Sequence, residues 1–388
     1  AEQIGASGWL IGVWLLGGAL ALIGALCYSK LGILFPKAGG EYAFLRPSYG
    51  PFAAFLSGWA SLFIGFTAPI AASALGLAYY LSSYFPGMSE EGSLGIPLTA
   101  ITALVTVALL ISLGLRAGNR IHSLITLLNA LLVLVFGVVV LRSAPAQENL
   151  IPALKGGSTE TGLPAVASAI ILVMFAYSGW NAAAYVAEEI KFPERNIPRA
   201  LLLGTGCVVL LYAVINLAYL AAVPLTALKG QVAVAEVVST AVFGELGRNL
   251  VNILILFSIM SSLTAMSIAG PRVYFAMSRD GLFPHWLSEV HSTKKIPLRA
   301  IWFQTAVAIL FVVVGDDLRQ ILLYSGFVLI FFSTLTVSAL FKVSKTRILP
   351  TIFILVNVLV LVSATLSDPW EALAGALTVG AGIPVYFY

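Results

Sequence analysis

Leu163 to Ala187 reads LPAVASAIILVMFAYSGWNAAAYVA, and the reading of the whole chain turns on this stretch. It is long and apolar enough to cross a bilayer, which takes about 20 residues of helix. Its middle, Phe175-Ala176-Tyr177-Ser178-Gly179-Trp180-Asn181, does not suit an unbroken helix. A lone glycine in a span can serve close helix packing. Here Gly179 is flanked by Ser178 and Asn181, whose side chains compete for backbone hydrogen bonds, and by the aromatics Tyr177 and Trp180. This composition predicts a discontinuous helix near the membrane midplane.

A broken helix has a chemical use. Its first half ends in unpaired carbonyls, which attract an ammonium, and its second half begins with unpaired N–H groups, which attract a carboxylate. Transporters hold charged substrate groups at such ends without burying a charged side chain. An amino acid carries both charges at once. The candidate substrate-binding residues are therefore Phe175, Ala176, Tyr177, Ser178, Gly179, Trp180 and Asn181.

The rest of the chain has the same character. Of 388 residues, 60% are hydrophobic and only 10% charged, and the mean hydropathy is +0.99. A soluble domain has about 25% charged residues and could not hide this much apolar surface in one core. Continuous apolar runs, not alternating ones, mark an all-α integral membrane protein. About eleven spans are expected, near 8–35, 51–80, 96–115, 121–141, 163–187, 199–222, 248–277, 299–314, 320–341, 349–366 and 370–388.

Charge supports this count. With Ala1 outside, the inner loops hold Lys30, Lys37, Arg46, Arg116, Arg120, Lys191, Arg195 and Arg199. Arg272, Arg279, Lys294, Lys295, Arg299, Lys342, Lys345 and Arg347 follow on the same side. Only Arg142, Lys155, Lys229, Arg248 and Arg319 fall outside, where Glu90, Glu91, Asp316, Asp317, Asp368 and Glu371 collect. One missed span would scramble this alternation, so the positive-inside rule predicts Tyr388 on the cytoplasmic side. The net charge of +4 is explained by this topology and not by a nucleic-acid partner, since no block of like charges forms a basic arm. No signal peptide precedes the first apolar stretch, and an external start implies a further helix upstream.

Cys27 and Cys207 lie in separate apolar runs and read as small buried hydrophobes, with neither metal spacing nor a disulfide partner. No G-x-S-x-G, H-E-x-x-H or G-x-x-x-x-G-K-[ST] motif occurs, so no enzyme, catalytic residue or cofactor is expected. His285 and His291, six apart in a basic loop, do not suit a zinc site. No Asp or Glu sits at the centre of a span, which favours a zwitterionic substrate over a polyamine. The aromatics Tyr177 and Trp180 count the other way, since a ring face can also hold a cation.

Three runs carry a family resemblance. FAYSGWNAAAYVAEEIKFPERNIPRAL, 175 to 201, resembles the sixth helix and following loop of amino-acid permeases of the amino acid–polyamine–organocation superfamily. FPKAGGEYAFLRPSYGP, 35 to 51, is similar to the loop between their second and third helices, and AGPRVYFAMSRDGLFP, 269 to 284, to the end of their eighth. The resemblance covers essentially the whole chain. It implies a LeuT-like inverted-repeat transporter fold of twelve helices, of which helices 2–12 are present here and the first, with its own break, is not. One transporter domain would then comprise 1–141 as the rest of the first repeat, 163–341 as the second repeat, and 349–388 as the last two helices.

The resemblance also implies roles. The carbonyls of Phe175 to Gly179 would meet the substrate ammonium, Trp180 would wall or gate the site, and Asn181 would help cap the second half-helix. Ser261 and Thr264 fall where relatives face an ion or water, although back-bonding within their own helix is the reading favoured for both. Asn129 stands where many relatives carry a lysine in place of a sodium ion, and Lys30 where many carry a glutamate. Proton, sodium and exchange coupling thus stay open. Glu188, Glu189, Arg195, Asn196 and Pro198 would shape an inner loop, with Glu189 pairing Arg195 and Pro198 starting the next helix. Arg272, Arg279 and Asp280 would form a cytoplasmic charge network. Residues 81–95 contain no cysteine, so no disulfide-linked heavy chain is expected. The expected activity is secondary active amino-acid transport by alternating access, in the bacterial inner membrane. The alternatives are a polyamine or organic-cation antiporter, or a non-transporting membrane sensor or truncated product.

Overall fold

The computed structural model describes residues 7–90, 93–113, 116–143, 163–231, 233–294, 296–314, 318–367 and 369–388. Among them every regular element is helical. Of the residues used to assign sidedness, Ala1, Lys155, Lys295, Glu91, Asp316, Asp317 and Asp368 lie outside the described residues.

The first half contains α1 (Ser7–Leu34), α2 (Glu41–Tyr49), α3 (Pro51–Ala60), α4 (Ala68–Ser82), α5 (Gly95–Ser112) and α6 (Arg116–Leu141). The broken span follows as α7 (Leu163–Ala176) and α8 (Ala182–Tyr185), then α9 (Pro193–Ala222) and the short α10 (Leu225–Leu228). Next come α11 (Val234–Ala269), α12 (Pro271–Arg279), α13 (Leu298–Val314), α14 (Leu318–Ser338) and α15 (Leu340–Val343). The chain ends with α16 (Ile348–Ser367), α17 (Pro369–Gly380) and α18 (Gly382–Phe387). Among the described residues eight helices are long and apolar enough to cross a membrane, and Val166–Ala176, Leu298–Val314 and Ala372–Phe387 are shorter apolar helices. Together these coincide with the expected spans, so the chain is a multi-pass membrane protein.

Local chemistry bends several helices where the site needs them bent. α3 passes into α4 through a π-helical turn, Ser61–Thr67. Pro69 has no N–H to give the Gly65 carbonyl four residues back, and its ring crowds that carbonyl. The ladder widens ahead of it, a common position for a π-bulge. α11 is kinked at Gly244, whose φ of 66° is left-handed. Pro198 lies inside α9, which Pro193 opens. The expectation that Pro198 starts this helix is therefore corrected: Pro193 takes the first turn, where its missing N–H costs nothing.

α7 is packed between α1, α14 and α16, while α1 lies along α9, and α9 against α6. The broken span is thus enclosed by the bundle. On the far side of α6, Leu124, Leu127, Leu128, Leu131, Val135 and Val138 are exposed. Such a stripe would be an aggregation liability in water and is the natural lipid-facing surface of a membrane helix. Cys27 is buried as expected, but Cys207 is exposed on α9, correcting its reading as a buried hydrophobe.

Candidate functional site

The break falls where the sequence places it. α7 stops at Ala176, α8 starts at Ala182, and Gly179 between them has φ +94°. Non-glycine residues rarely adopt that conformation, and Gly179 has open space where a Cβ would stand. Turn bonds close the break: Ser178 N–H donates to Phe175 O at 2.9 Å, Trp180 N–H to Tyr177 O at 3.3 Å, and Ala182 N–H to Gly179 O at 2.9 Å. The Ala176 carbonyl, at the end of α7, accepts from Tyr212 Oη at 2.8 Å. Part of the carbonyl set expected to face a substrate is therefore already engaged by the protein itself.

All seven residues from Phe175 to Asn181 line one cavity of about 870 Å³. This lies within the range of small-molecule sites. Gly65 and Phe66 from the π-turn, Asn129 from α6, Thr205 and Tyr212 from α9 and Ser333 from α14 also line it. Among the described residues the lining holds no Asp, Glu, Lys, Arg or His. The Thr205 hydroxyl is buried without a hydrogen-bond partner in the protein, so an incoming polar group would meet a donor and acceptor already stripped of water.

The three residues expected at an ion site separate. Asn129 Oδ1 accepts from Ser258 Oγ at 2.9 Å, and Ser261 Oγ lies 3.1 Å from Thr126 Oγ1; all four line the cavity. Thr264 donates to Met260 O at 2.8 Å, back-bonded within α11, and is not part of the lining.

Trp180 forms a wall. Its ring meets Tyr28 edge-on at 4.7 Å and Phe353 at 6.4 Å. It reaches this place because Gly24 on α1 leaves room: a Cβ there would lie 2.7 Å from the indole. Asn181 occupies the N-cap position of α8 but makes no side-chain capping bond. Its Nδ2 instead donates to Glu41 Oε1 and to Tyr185 Oη, both at 3.3 Å. The capping role expected for this side chain is replaced by a buried hydrogen-bond cluster.

Glu41 was not among the expected site residues. It is 2% exposed, at the start of α2, and Tyr28 Oη donates to its Oε1 at 2.7 Å. It follows Gly39 and Gly40, both with positive φ. Two glycines ahead of an acid in a loop are the signal that marked it. It puts a carboxyl group directly behind Asn181, which lines the cavity.

Below the cavity, charge pairs tie the basic face together. Arg279 Nη1 meets Glu188 Oε1 at 3.0 Å, Arg272 Nε meets Glu189 Oε1 at 2.7 Å, and Arg46 Nη1 meets Asp280 Oδ2 at 2.7 Å. Arg272 also donates to Ile268 O. The expected pairing of Glu189 with Arg195 is corrected: α12 brings Arg272 to Glu189 instead. The bonds from Arg279 hold the Glu188 carboxyl below its ordinary range, aided by the Ala38 N–H.

An all-helical membrane bundle whose broken helix opens into a charge-free, aromatic-walled cavity has the architecture of a small-solute carrier. A family model described as amino acid permease matches residues 1–367, and the chain belongs to that family. It is 27% identical over 390 residues to b(0,+)-type amino acid transporter 1 of Homo sapiens, covering 97% of this chain and 79% of the relative. It is 28% identical over 409 residues to Large neutral amino acids transporter small subunit 2 of Homo sapiens, covering 100% of this chain and 74% of the relative. Relatives in this family are transporters rather than enzymes.

Proposed function

We propose that this chain is a secondary active transporter of neutral amino acids, working by alternating access around the break at Tyr177 to Asn181. The observation that carries the reading is the charge-free lining of the 870 Å³ cavity onto which that break opens. A zwitterion brings one charge of each sign, and backbone groups at a helix break can meet both without a buried counter-charge. The aromatic surfaces of Phe66, Tyr177, Trp180 and Tyr212 suit an apolar or aromatic substrate side chain. The names of both relatives point to amino acids, and that of the second to large neutral ones.

The division into 1–141, 163–341 and 349–388 belongs to this reading as the two repeats and the closing helices. So do a cytoplasmic position for Tyr388, a bacterial inner membrane as the location, and ion coupling or exchange as the driving mechanism. Asn129, Ser258, Ser261 and Thr126 are the polar groups from which a bound cation or ordered water would draw ligands.

Uptake of L-leucine into proteoliposomes, competed by L-phenylalanine, L-arginine and putrescine, tests the proposal. Competition by phenylalanine alone is the expected result. Competition by putrescine or arginine with no effect of phenylalanine would replace it with an organic-cation antiporter. Absence of uptake and of binding for all four would leave a membrane sensor.

A further inference from the structure

Three successive points on the second half of the broken helix are held by the loop that leads into α2. Gly39 N–H donates to Tyr185 O at 3.1 Å, Ala38 N–H to Glu188 Oε2 at 3.2 Å, and Glu41 Oε1 accepts from Asn181 at 3.3 Å. Gly40 is pressed so closely on the Tyr185 ring that a Cβ there would overlap it. Residues 38–41 therefore clamp residues 181–188, the segment that joins the cavity lining at Asn181 and Tyr185 to the charge pair at Glu188.

The clamp has a carboxyl at its centre with no cationic partner. Among the described residues no Lys, Arg or His forms an ion pair with Glu41. The titratable groups turned toward it are Tyr28 of α1 and Tyr185 at the end of α8, with Tyr274 of α12 behind Tyr185. Ser61 and Gly65 of the π-turn and Val328, Leu329 and Phe332 of α14 line one small void with Glu41, as do Ala60 and the buried, unpartnered hydroxyl of Ser57 from α3; none of them carries a charge. Two neutral donors on one oxygen do not compensate a fully buried negative charge.

We propose that the Glu41 carboxyl is a proton-binding site that latches the second half of the broken helix, and that its proton is the coupling ion, the latter resting on the transport reading above. With the latch closed the carboxyl holds a proton. Opening the clamp admits water, the carboxyl O–H bond breaks, and the proton passes to that water, leaving a hydrated carboxylate. No electrons are exchanged.

Burial pushes the Glu41 carboxyl up to about 7, against the opposing hydrogen bonds from Tyr28 and Asn181. The sign follows. A group with a higher pKa in the closed form stabilises closure fully below its ordinary, hydrated pKa. That stabilisation is lost as pH rises from there through about 7. Acid holds the latch and alkali releases it.

The test uses the purified full chain. Infrared difference spectra should show a protonated carboxyl titrating near neutral pH, absent in Glu41→Gln. Tyr28→Phe, which removes a bond to the ionised form, should move that midpoint upward, and it serves alone if the Gln variant does not fold. Opening is read by alkylation of Cys27, which is 1% exposed in the core packed around Ala184, in a Cys207→Ser background. Taking the rate relative to Glu41→Gln cancels the thiol's own titration. This ratio should rise about tenfold or more from acid to alkaline pH, the change that one pKa unit carries. A carboxyl already ionised at pH about 5, or a flat ratio, overturns the latch. In proteoliposomes an inward proton gradient should accelerate L-leucine uptake by the wild type, and Glu41→Gln should lose that dependence. Equal acceleration in both overturns the coupling. A wild type that moves no amino acid defeats the transport reading, while the two titrations still decide the latch.

Discussion

The Asn181 side-chain amide donates at 3.3 Å to the carboxyl group of Glu41, a residue 140 positions away in sequence. One partner lines the cavity and the other is buried behind it. Replacing Asn181 by Asp removes the donor and sets a second carboxyl against the first, and two carboxyls in one site cannot both ionise readily. Asn181→Asp should lower the melting temperature at alkaline pH, and its gap from the wild type should narrow on acidification. A pH series of thermal melts in detergent checks this; a constant gap contradicts it.

Gly179 has φ +94° and open space around it, so a methyl group there costs backbone strain and not a clash. Gly179→Ala should cost about 1 kcal/mol locally. Because the strain falls on the break, amino-acid affinity should drop roughly 5-fold while the overall melt changes little. Equilibrium binding beside a thermal melt separates these two effects.

Tyr212 caps the first half of the broken helix through Ala176 O. Tyr212→Phe keeps the ring contacts with Trp14 and Tyr177 and deletes only the hydroxyl. The expected loss is about 1 kcal/mol of stability. Substrate binding should change as well, since a carbonyl facing the cavity is freed. An unchanged affinity would place Ala176 O outside substrate contact.

Gly40→Ala combines a left-handed φ of 55° with overlap on the Tyr185 ring. Either effect alone destabilises by about 1 kcal/mol or more. The variant should be markedly less stable than Gly50→Ala, where φ is also positive but no atom lies within reach. Comparing the two melts isolates the cost of the contact.

The charge pair between Arg279 and Glu188 depresses the Glu188 pKa. A depressed carboxyl contributes stability above its ordinary pKa, and that contribution is lost as pH falls through the lowered value. Glu188→Gln should therefore be less stable than the wild type at neutral pH and indistinguishable from it in acid well below the ordinary carboxylate range. The effect should be small, because both side chains are partly exposed. Melts from neutral pH into that range decide it.

Much of this molecule follows from sequence because lipid imposes a simple rule. Backbone polar groups in a bilayer must be satisfied within the segment, so apolar length alone marks the helices, and Lys and Arg mark their ends. The break at Ser178, Gly179 and Asn181 is legible for the same kind of local reason: a positive φ and competing side chains are properties of neighbouring residues. What Asn181 does was not legible. Whether its amide caps α8 or reaches Glu41 depends on where α2 sits, and only packing at Gly39 and Gly40 fixes that. Glu189 likewise chose Arg272 over the nearby Arg195 because α12 comes down beside it. Thr264 and Ser261, three apart on one helix, diverge because the cavity meets only one of their faces. Sequence determines which residues form helices and where a helix fails, since those are short-range energies. The partner of each polar group in the interior is a long-range outcome of packing, and only the tertiary structure decides it.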